Sequence, residues 1–159
     1  NFLNANGIRS MQQLHEKISG LNTRYYDLRG EIVKAERRIA TLTERGEMWK
    51  QYSQYKAIRK QLDKEKPAKR ELFEQRHSRE LLLYEAAARY LKELKESGEE
   101  ITPKAWEREI AKLTAAKDVK YMDMRAMREE LKAVERLKKA ADRLARQEQE
   151  QTKDRGLER

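Results

Sequence analysis

The chain contains no cysteine and only two histidines, which limits the chemistry that it can support. Without cysteine there is no disulfide and no thiolate metal site, and we predict an intracellular, cytoplasmic location. His15 and His77 lie far apart in the sequence, unlike the close pairs or clusters that bind metals. A glycine-rich phosphate-binding loop and a Ser/His/Asp arrangement are also missing. We therefore predict a non-enzymatic chain with no cofactor and no metal.

Long apolar runs are missing too. The longest aliphatic run is Leu81-Leu82-Leu83, so we predict no membrane insertion. Leu, Ile, Val and Phe make up about 18% of the chain and charged residues 41%, values that approach those of disordered proteins. However, Ala, Glu, Lys, Leu and Arg together make up about 58%, and the apolar residues are periodic. This combination predicts long helices with narrow apolar seams.

The strongest pattern lies in the first third of the chain. Nine apolar residues follow one another at alternating steps of four and three: Leu14, Ile18, Leu21, Tyr25, Leu28, Ile32, Ala35, Ile39 and Leu42. Such alternation marks the buried seam of a supercoiled α-helix. The same steps continue past Gly46 to Trp49, and a helical spacing then continues through Tyr52, Tyr55, Ile58 and Leu62. We predict a continuous first helix over residues 11–62, with Ser10 as its N-cap and residues 1–9 as a lead-in.

Two breaks follow this helix. Pro67 excludes helical geometry at Lys66 and suits the first turn of a second helix, which we predict over residues 68–97. Thr102-Pro103 then predicts an N-cap and the start of a third helix, over residues 103–147. We predict that residues 149–159 form a disordered polar tail. The predicted fold is all-α, an elongated antiparallel three-helix bundle or coiled coil over residues 10–148, in which the third helix runs parallel to the first.

The second helix is too short to cover the first. We therefore expect the N-terminal part of the first helix and the C-terminal part of the third to project from opposite ends of the bundle. These overhangs would bind a second copy as a homodimer, the remainder of a longer protein, or another partner. Because the first residue is Asn1, we expect the chain to be a piece of a longer protein.

Several aromatic residues have two interpretations. Tyr25 occupies a seam position and Tyr26 flanks it, so core packing is favoured over a nucleophilic role. Trp49, Tyr52 and Tyr55 share a helical face, and core packing is again favoured over the stacking of bases. His77 is predicted to pack or face solvent rather than bind a metal.

The most informative surface feature is a cationic stripe on the third helix. Its residues share one face: Arg125, Arg128, Lys132, Arg136, Lys139, Arg143 and Arg146. Like charges at this spacing destabilise a helix slightly. A functional reason for the stripe is contact with a nucleic-acid backbone, in keeping with the net charge of +9. The competing interpretation is a solvated face relieved by Glu129, Glu135 and Asp142. Lys56, Arg59 and Lys60 would extend the surface if the first and third helices were parallel neighbours.

The sequence resembles the C-terminal helical region of the relaxase, or mobilisation, proteins of conjugative plasmids and integrative conjugative elements from Gram-positive gut bacteria. The resemblance covers most of the chain, in order, and is carried by Asn1–Leu3, Tyr52–Arg59, Glu80–Ala87 and Tyr121–Leu131. In that family an upstream nuclease domain nicks DNA with a tyrosine and a histidine-bound metal. This chain has no matching histidine cluster, so that activity is not implied for it.

The resemblance implies a place in a DNA-processing complex. We predict a non-catalytic domain that assists DNA binding, contacts with relaxosome or coupling proteins, or both, during the mobilisation of a plasmid or transposon. The alternative is a structural coiled-coil module for protein interaction or dimerisation with no nucleic-acid role.

Overall fold

The computed structural model describes the backbone of residues 2–157 and the side chains of residues 9–156. Over this part of the chain it contains four α-helices and no strand, which confirms the all-α prediction. The helices are α1 (Phe2–Lys64), α2 (Pro67–Arg76), α3 (Ser78–Glu96) and α4 (Pro103–Leu157).

Helix α1 is the very long first helix that the seam predicts. Every seam residue from Leu14 to Leu42 is buried or half-buried, and the helix continues through Gly46 without interruption. Its predicted start is wrong, because Arg9 and Ser10 are already helical and Ser10 is therefore not an N-cap. The side chains of the rest of the predicted lead-in, residues 1–8, lie outside the described residues.

The break at Pro67 is confirmed. Lys66 has extended dihedral angles (φ −65°, ψ 145°), as expected for a residue that precedes proline, and α2 begins at Pro67. Because the ring of Pro67 already holds a helical φ and its missing N–H would have no intrahelical partner at this position, proline suits the first turn.

The predicted single second helix is in fact two helices, α2 and α3. His77 separates them with φ −116° and ψ 25°, angles outside the α-helical range. Backbone hydrogen bonds nevertheless continue across it, from the His77 N–H to the Phe73 carbonyl (3.0 Å) and from the Leu81 N–H to the His77 carbonyl (2.9 Å). The imidazole packs against the Phe73 ring at 4.4 Å between centroids. The sequence did not predict this break, because no proline or glycine lies at or beside His77 to mark it.

The second break also lies where the sequence predicts it. Helix α3 ends before Ser97, and Gly98 takes a positive φ of 91°, a conformation that glycine adopts without steric penalty. Helix α4 begins at Pro103, and the Thr102 carbonyl accepts the first hydrogen bond, from the Trp106 N–H (3.0 Å).

The predicted disordered tail is wrong for residues 149–156, which continue helix α4. Between Pro103 and Gly156 there is neither proline nor glycine, and Gln, Glu, Lys and Arg are good helix formers. A polar sequence without a seam can therefore extend a helix that is already nucleated. Residues 158–159 of the predicted tail lie outside the described residues.

The chain divides into two units: a central unit, Ala35–Ala116, and a terminal unit, Asn1–Lys34 with Lys117–Arg159. In the central unit α1 contacts both α3 and α4. The buried residues of this unit are Ala35, Leu42, Arg45, Leu62, Leu81, Ala87, Leu91 and Trp106.

The direction of α4 differs from the prediction. In the central unit Arg38 pairs with Glu109, whereas Arg45, further along α1, pairs with Glu99 just before α4. Residue numbers therefore fall along α4 as they rise along α1, and the two helices are antiparallel rather than parallel. The prediction assumed that the chain reverses its direction tightly after α3, which would make α3 and α4 antiparallel. The connection over residues 97–102 can instead span roughly 20 Å when extended, so α3 and α4 need not run in opposite directions.

In the terminal unit the first part of α1 packs against α4, again in antiparallel fashion. Lys17 pairs with Glu130 (3.3 Å) and Glu31 pairs with Lys120 (3.6 Å). The buried apolar residues that the structure describes in this unit are Leu21, Ile32 and Val134. The expectation that these two parts project from opposite ends of the bundle is therefore wrong for residues 17–31 and 120–130, which pair with each other.

Candidate nucleic-acid interface

The cationic stripe lies on α4 in the terminal unit, and all seven of its side chains are exposed. At 3.6 residues per turn they fall within an arc of about 80°. Over its length, from Arg125 to Arg146, the stripe extends for roughly 32 Å at the α-helical rise. The seam that faces α1 occupies a different side of the helix, so packing within the unit leaves the stripe accessible.

Arg128 is the stripe residue held most firmly. Its Nη2 donates a hydrogen bond to the Tyr25 hydroxyl (2.8 Å), and its guanidinium lies 5.8 Å from the centre of the Tyr25 ring. That hydrogen bond is the main cause of a raised pKa for Arg128. Tyr25 is half-buried in the seam, in keeping with its interpretation as a packing residue. Arg128 therefore connects α4 to α1 as well as adding to the stripe.

Most of the other stripe residues have no partner among residues 9–156. Lys132 Nζ lies 3.7 Å from Glu129 Oε1, one turn away on the same helix. Glu135 and Asp142, which the solvated-face interpretation also invoked, form no ion pair with the stripe among residues 9–156. Within the same range, no ion pair or hydrogen bond is made by the side chains of Arg125, Arg136, Lys139, Arg143 and Arg146.

Such an arrangement is suited to a polyanion with regularly spaced charges. Arginine and lysine side chains on one exposed face can reach successive phosphate oxygens, and each contact releases counterions. The chemistry that it supports is salt-dependent binding to a phosphate backbone.

We predicted that Lys56, Arg59 and Lys60 extend the cationic surface if the first and third helices are parallel neighbours. This condition is not met, because α4 runs antiparallel to α1. These residues belong to the central unit, where Arg59 pairs with Asp63 (3.5 Å) and with Glu85 on α3 (3.6 Å). Lys56 and Lys60 are exposed, and Arg59 is half-buried. Arg59 is therefore part of the packing of α1 against α3.

Three aromatic residues of the central unit stack on one another. The Tyr52 ring lies between Trp49 and Tyr84, at centroid distances of 5.9 Å and 5.2 Å, and Lys56 Nζ lies 5.7 Å from its centre. Burial is the main cause of a raised pKa for Tyr84, followed by its hydrogen bond with Tyr52. Tyr52 and Tyr55 are half-buried, as the core interpretation predicts, but Trp49 is 36% exposed and lies at the edge of the stack.

The two histidines lie in different surroundings. His15 is exposed on α1, and His77 is half-buried against Phe73. Among the described residues there is no group of three or more His, Cys, Asp or Glu that could hold a metal ion.

The sequence pattern missed two ion pairs of the central unit. Arg38 donates two hydrogen bonds to Glu109, from Nε to Oε1 (3.0 Å) and from Nη2 to Oε2 (3.2 Å). Arg45 is only 8% exposed, and its Nη1 lies 3.7 Å from Glu99 Oε2. Each arginine directly precedes a seam position in the sequence. Apolar periodicity does not distinguish a paired charge beside the seam from a solvated one, so the pattern could not identify either arginine.

Comparisons with protein-family models, with curated proteins and with solved structures find no match for this chain. Among the described residues, no helix carries an apolar stretch long enough to cross a membrane.

Proposed function

We propose that this chain is a non-catalytic helical domain that binds DNA along the cationic stripe of α4. The observation that carries the proposal is the exposure of seven cationic side chains on one helix face, five of them without a partner among residues 9–156. Seven like charges in succession destabilise a helix slightly, and a polyanion would remove that penalty. The resemblance to the helical region of relaxases supports the choice of DNA as the polyanion.

We further propose that the domain belongs to a relaxase-type mobilisation protein and assists its DNA engagement or its contacts with relaxosome or coupling proteins. Only the resemblance supports this part. Its test is the reading frame upstream of Asn1 in the source genome. A nuclease domain with clustered histidines is the expected result, and an unrelated upstream sequence or a start codon directly before Asn1 would contradict it.

The DNA proposal is tested by fluorescence anisotropy with labelled single- and double-stranded DNA across a salt series. We expect affinity to fall linearly on a log–log plot against salt, with a slope of about −0.9 per phosphate neutralised on the duplex. The diagnostic variant carries Lys139→Glu, Arg143→Glu and Arg146→Glu. It avoids Arg128, whose contact with Tyr25 belongs to the packing of the unit.

The matched control carries Lys104→Glu, Arg108→Glu and Lys112→Glu, exposed residues on the same helix but in the central unit. Both variants change the net charge equally. We expect the stripe variant to lose at least about tenfold in affinity at low salt and the control to lose much less, because only the stripe variant removes phosphate contacts. Equal losses in the two variants, or no binding of the unaltered chain at low salt, would remove the proposal.

A structural coiled-coil module without a nucleic-acid role is the second candidate. The observation that favours it is the exposure of large apolar residues on α4, among them Leu137 (60%) and Leu144 (63%). Light scattering over a range of concentrations separates the candidates in combination with the DNA titration. A stable oligomer that does not bind DNA would favour this module over the DNA-binding domain.

A further inference from the structure

Helix α4 has a second apolar stripe, distinct from the seam that packs on α1. Four of its residues are large apolar side chains that are more than half exposed: Val119 (57%), Met122 (69%), Leu137 (60%) and Leu144 (63%). Three exposed alanines, Ala126, Ala133 and Ala140, lie on the same face at helical spacing. This outer stripe belongs wholly to the terminal unit.

The spacing of the outer stripe is symmetric about Ala133. Ala126 and Ala140 each lie seven residues from Ala133, and Met122 and Leu144 each lie eleven residues from it. Two copies of the helix in antiparallel register would therefore place alanine opposite alanine and Met122 opposite Leu144. A two-fold interface requires such self-complementarity, because each residue must meet in the second copy the residue that meets it in return. An unrelated partner helix would impose no such symmetry.

We propose that a second copy of this chain docks on the outer stripe of α4 as an antiparallel, two-fold symmetric helix pair centred on Ala133. The small side chain of Ala133 on the axis allows the two helices to approach closely. The one polar position within the stripe is Glu129, which lies opposite Leu137 in this register. The same register places Glu129 beside Arg136 of the second copy on both sides of the axis, where the opposite charges attract.

The centre of this surface lies about 110° around the helix from the centre of the cationic stripe, and Arg136 is the one stripe residue that the dimer contact uses. The inference therefore goes beyond the proposed function and does not depend on it. DNA binding by the chain can fail while dimerisation succeeds, and the reverse is equally possible. The two measurements use different variants and report independently.

Cysteine crosslinking tests both the partner and the register, because the chain contains no cysteine of its own. We expect Ala133→Cys to form a disulfide-linked dimer under mild oxidation. Met122→Cys alone should not crosslink, because its two copies lie roughly 33 Å apart in the antiparallel register and a disulfide needs Cα atoms within about 7 Å. A mixture of Met122→Cys and Leu144→Cys should crosslink to each other. Leu82 is about as exposed (66%) as Met122 and Leu144 but lies in the central unit, so Leu82→Cys is the control that should stay monomeric.

Sedimentation or light scattering of the full chain supplies the second measurement. We expect a monomer–dimer equilibrium that the double variant Leu137→Glu and Leu144→Glu shifts to monomer by at least about tenfold in dissociation constant. Leu82→Glu, matched in chemistry and exposure, should leave it unchanged. Because all these residues are exposed, circular dichroism should show unaltered helix content. A strict monomer at all concentrations, self-crosslinking of Met122→Cys, or no crosslinking of Ala133→Cys would each overturn the proposal.

Discussion

The central and terminal units use the same kind of helix but bury very different amounts of apolar surface. The central unit holds two completely buried apolar residues, Leu42 and Ala87, together with the buried indole of Trp106. In the terminal unit just three described apolar residues are buried, and half-buried lysines occupy inward positions of α4, among them Lys117 and Lys138. A contact between two helices covers a narrow seam, whereas α1 in the central unit contacts both α3 and α4.

Because of this difference, the unit that should contribute most of the stability is not the unit that presents the proposed binding surfaces. Burial of apolar area stabilises a fold roughly in proportion to that area, so the central unit should contribute most of the stability. The terminal unit leaves most of α4 exposed, and both the cationic stripe and the outer stripe lie there. The surfaces proposed to bind partners thus lie on the unit with the thinner core.

We expect the largest change in stability when a buried side chain of the central unit is shortened. Leu42→Ala should lower the free energy of unfolding by about 2–5 kcal/mol, because replacing a fully buried leucine leaves a cavity. Leu28→Ala, at a half-buried seam position of the terminal unit, should lower it by clearly less. Urea unfolding followed by circular dichroism measures both, with the exposed Leu82→Ala as a control expected within about 0.5 kcal/mol of the unaltered chain. Equal losses in the free energy of unfolding of Leu42→Ala and Leu28→Ala would contradict the inference that the central unit contributes most of the stability.

A smaller effect, of opposite sign, is expected from two glycines within α1. Gly30 lies in the terminal unit and Gly46 in the central unit, and a Cβ atom added at either would meet nothing within 4 Å. Gly30→Ala and Gly46→Ala should therefore each raise the free energy of unfolding by about 0.5–1 kcal/mol, because alanine restricts the unfolded chain and favours the helix. Thermal unfolding measures the change. A loss of stability in Gly46→Ala alone would mean that the central unit packs too closely there for a methyl group.

We expect the smallest effect from the pH dependence of the ion pair between Arg38 and Glu109. The hydrogen bonds from Arg38 lower the pKa of Glu109 from its ordinary value of 4.5, so the unfolded chain binds this proton more readily than the folded one. The contribution of this pair to stability is therefore complete above pH 4.5 and is lost as pH falls through the lowered pKa. We expect Glu109→Gln to have a lower melting temperature than the unaltered chain at pH 7, with a difference that shrinks below pH 4.5.

Glu107→Gln, an exposed carboxylate on the same turn of α4, is the control for the pH series. It should show no pH-dependent difference of this kind, because no ion pair holds Glu107 among the described residues. A constant difference between Glu109→Gln and the unaltered chain from pH 7 to pH 3 would show that the charge of Glu109 does not matter.

Local patterns predicted the long helices and two of the three breaks between them, at Pro67 and before Pro103, but not the break at His77. The alternating seam of α1, the extended geometry before Pro67 and the Thr102-Pro103 start of α4 all depend on residues close in sequence, whose steric and hydrogen-bonding preferences act within one or two turns. The exposure of the cationic stripe was also predictable, because its residues share a face that excludes the seam.

The sequence by itself determined that this protein is helical, where its first helix carries apolar residues and where its charges gather. Only the tertiary structure decided that α4 runs antiparallel to α1, that His77 divides the second helix, and that Arg38 and Arg45 pair with Glu109 and Glu99. The physical reason is that helix direction and ion pairing depend on contacts between residues far apart in the chain. A heptad seam accepts a partner helix in either direction, so its pattern alone does not choose between them.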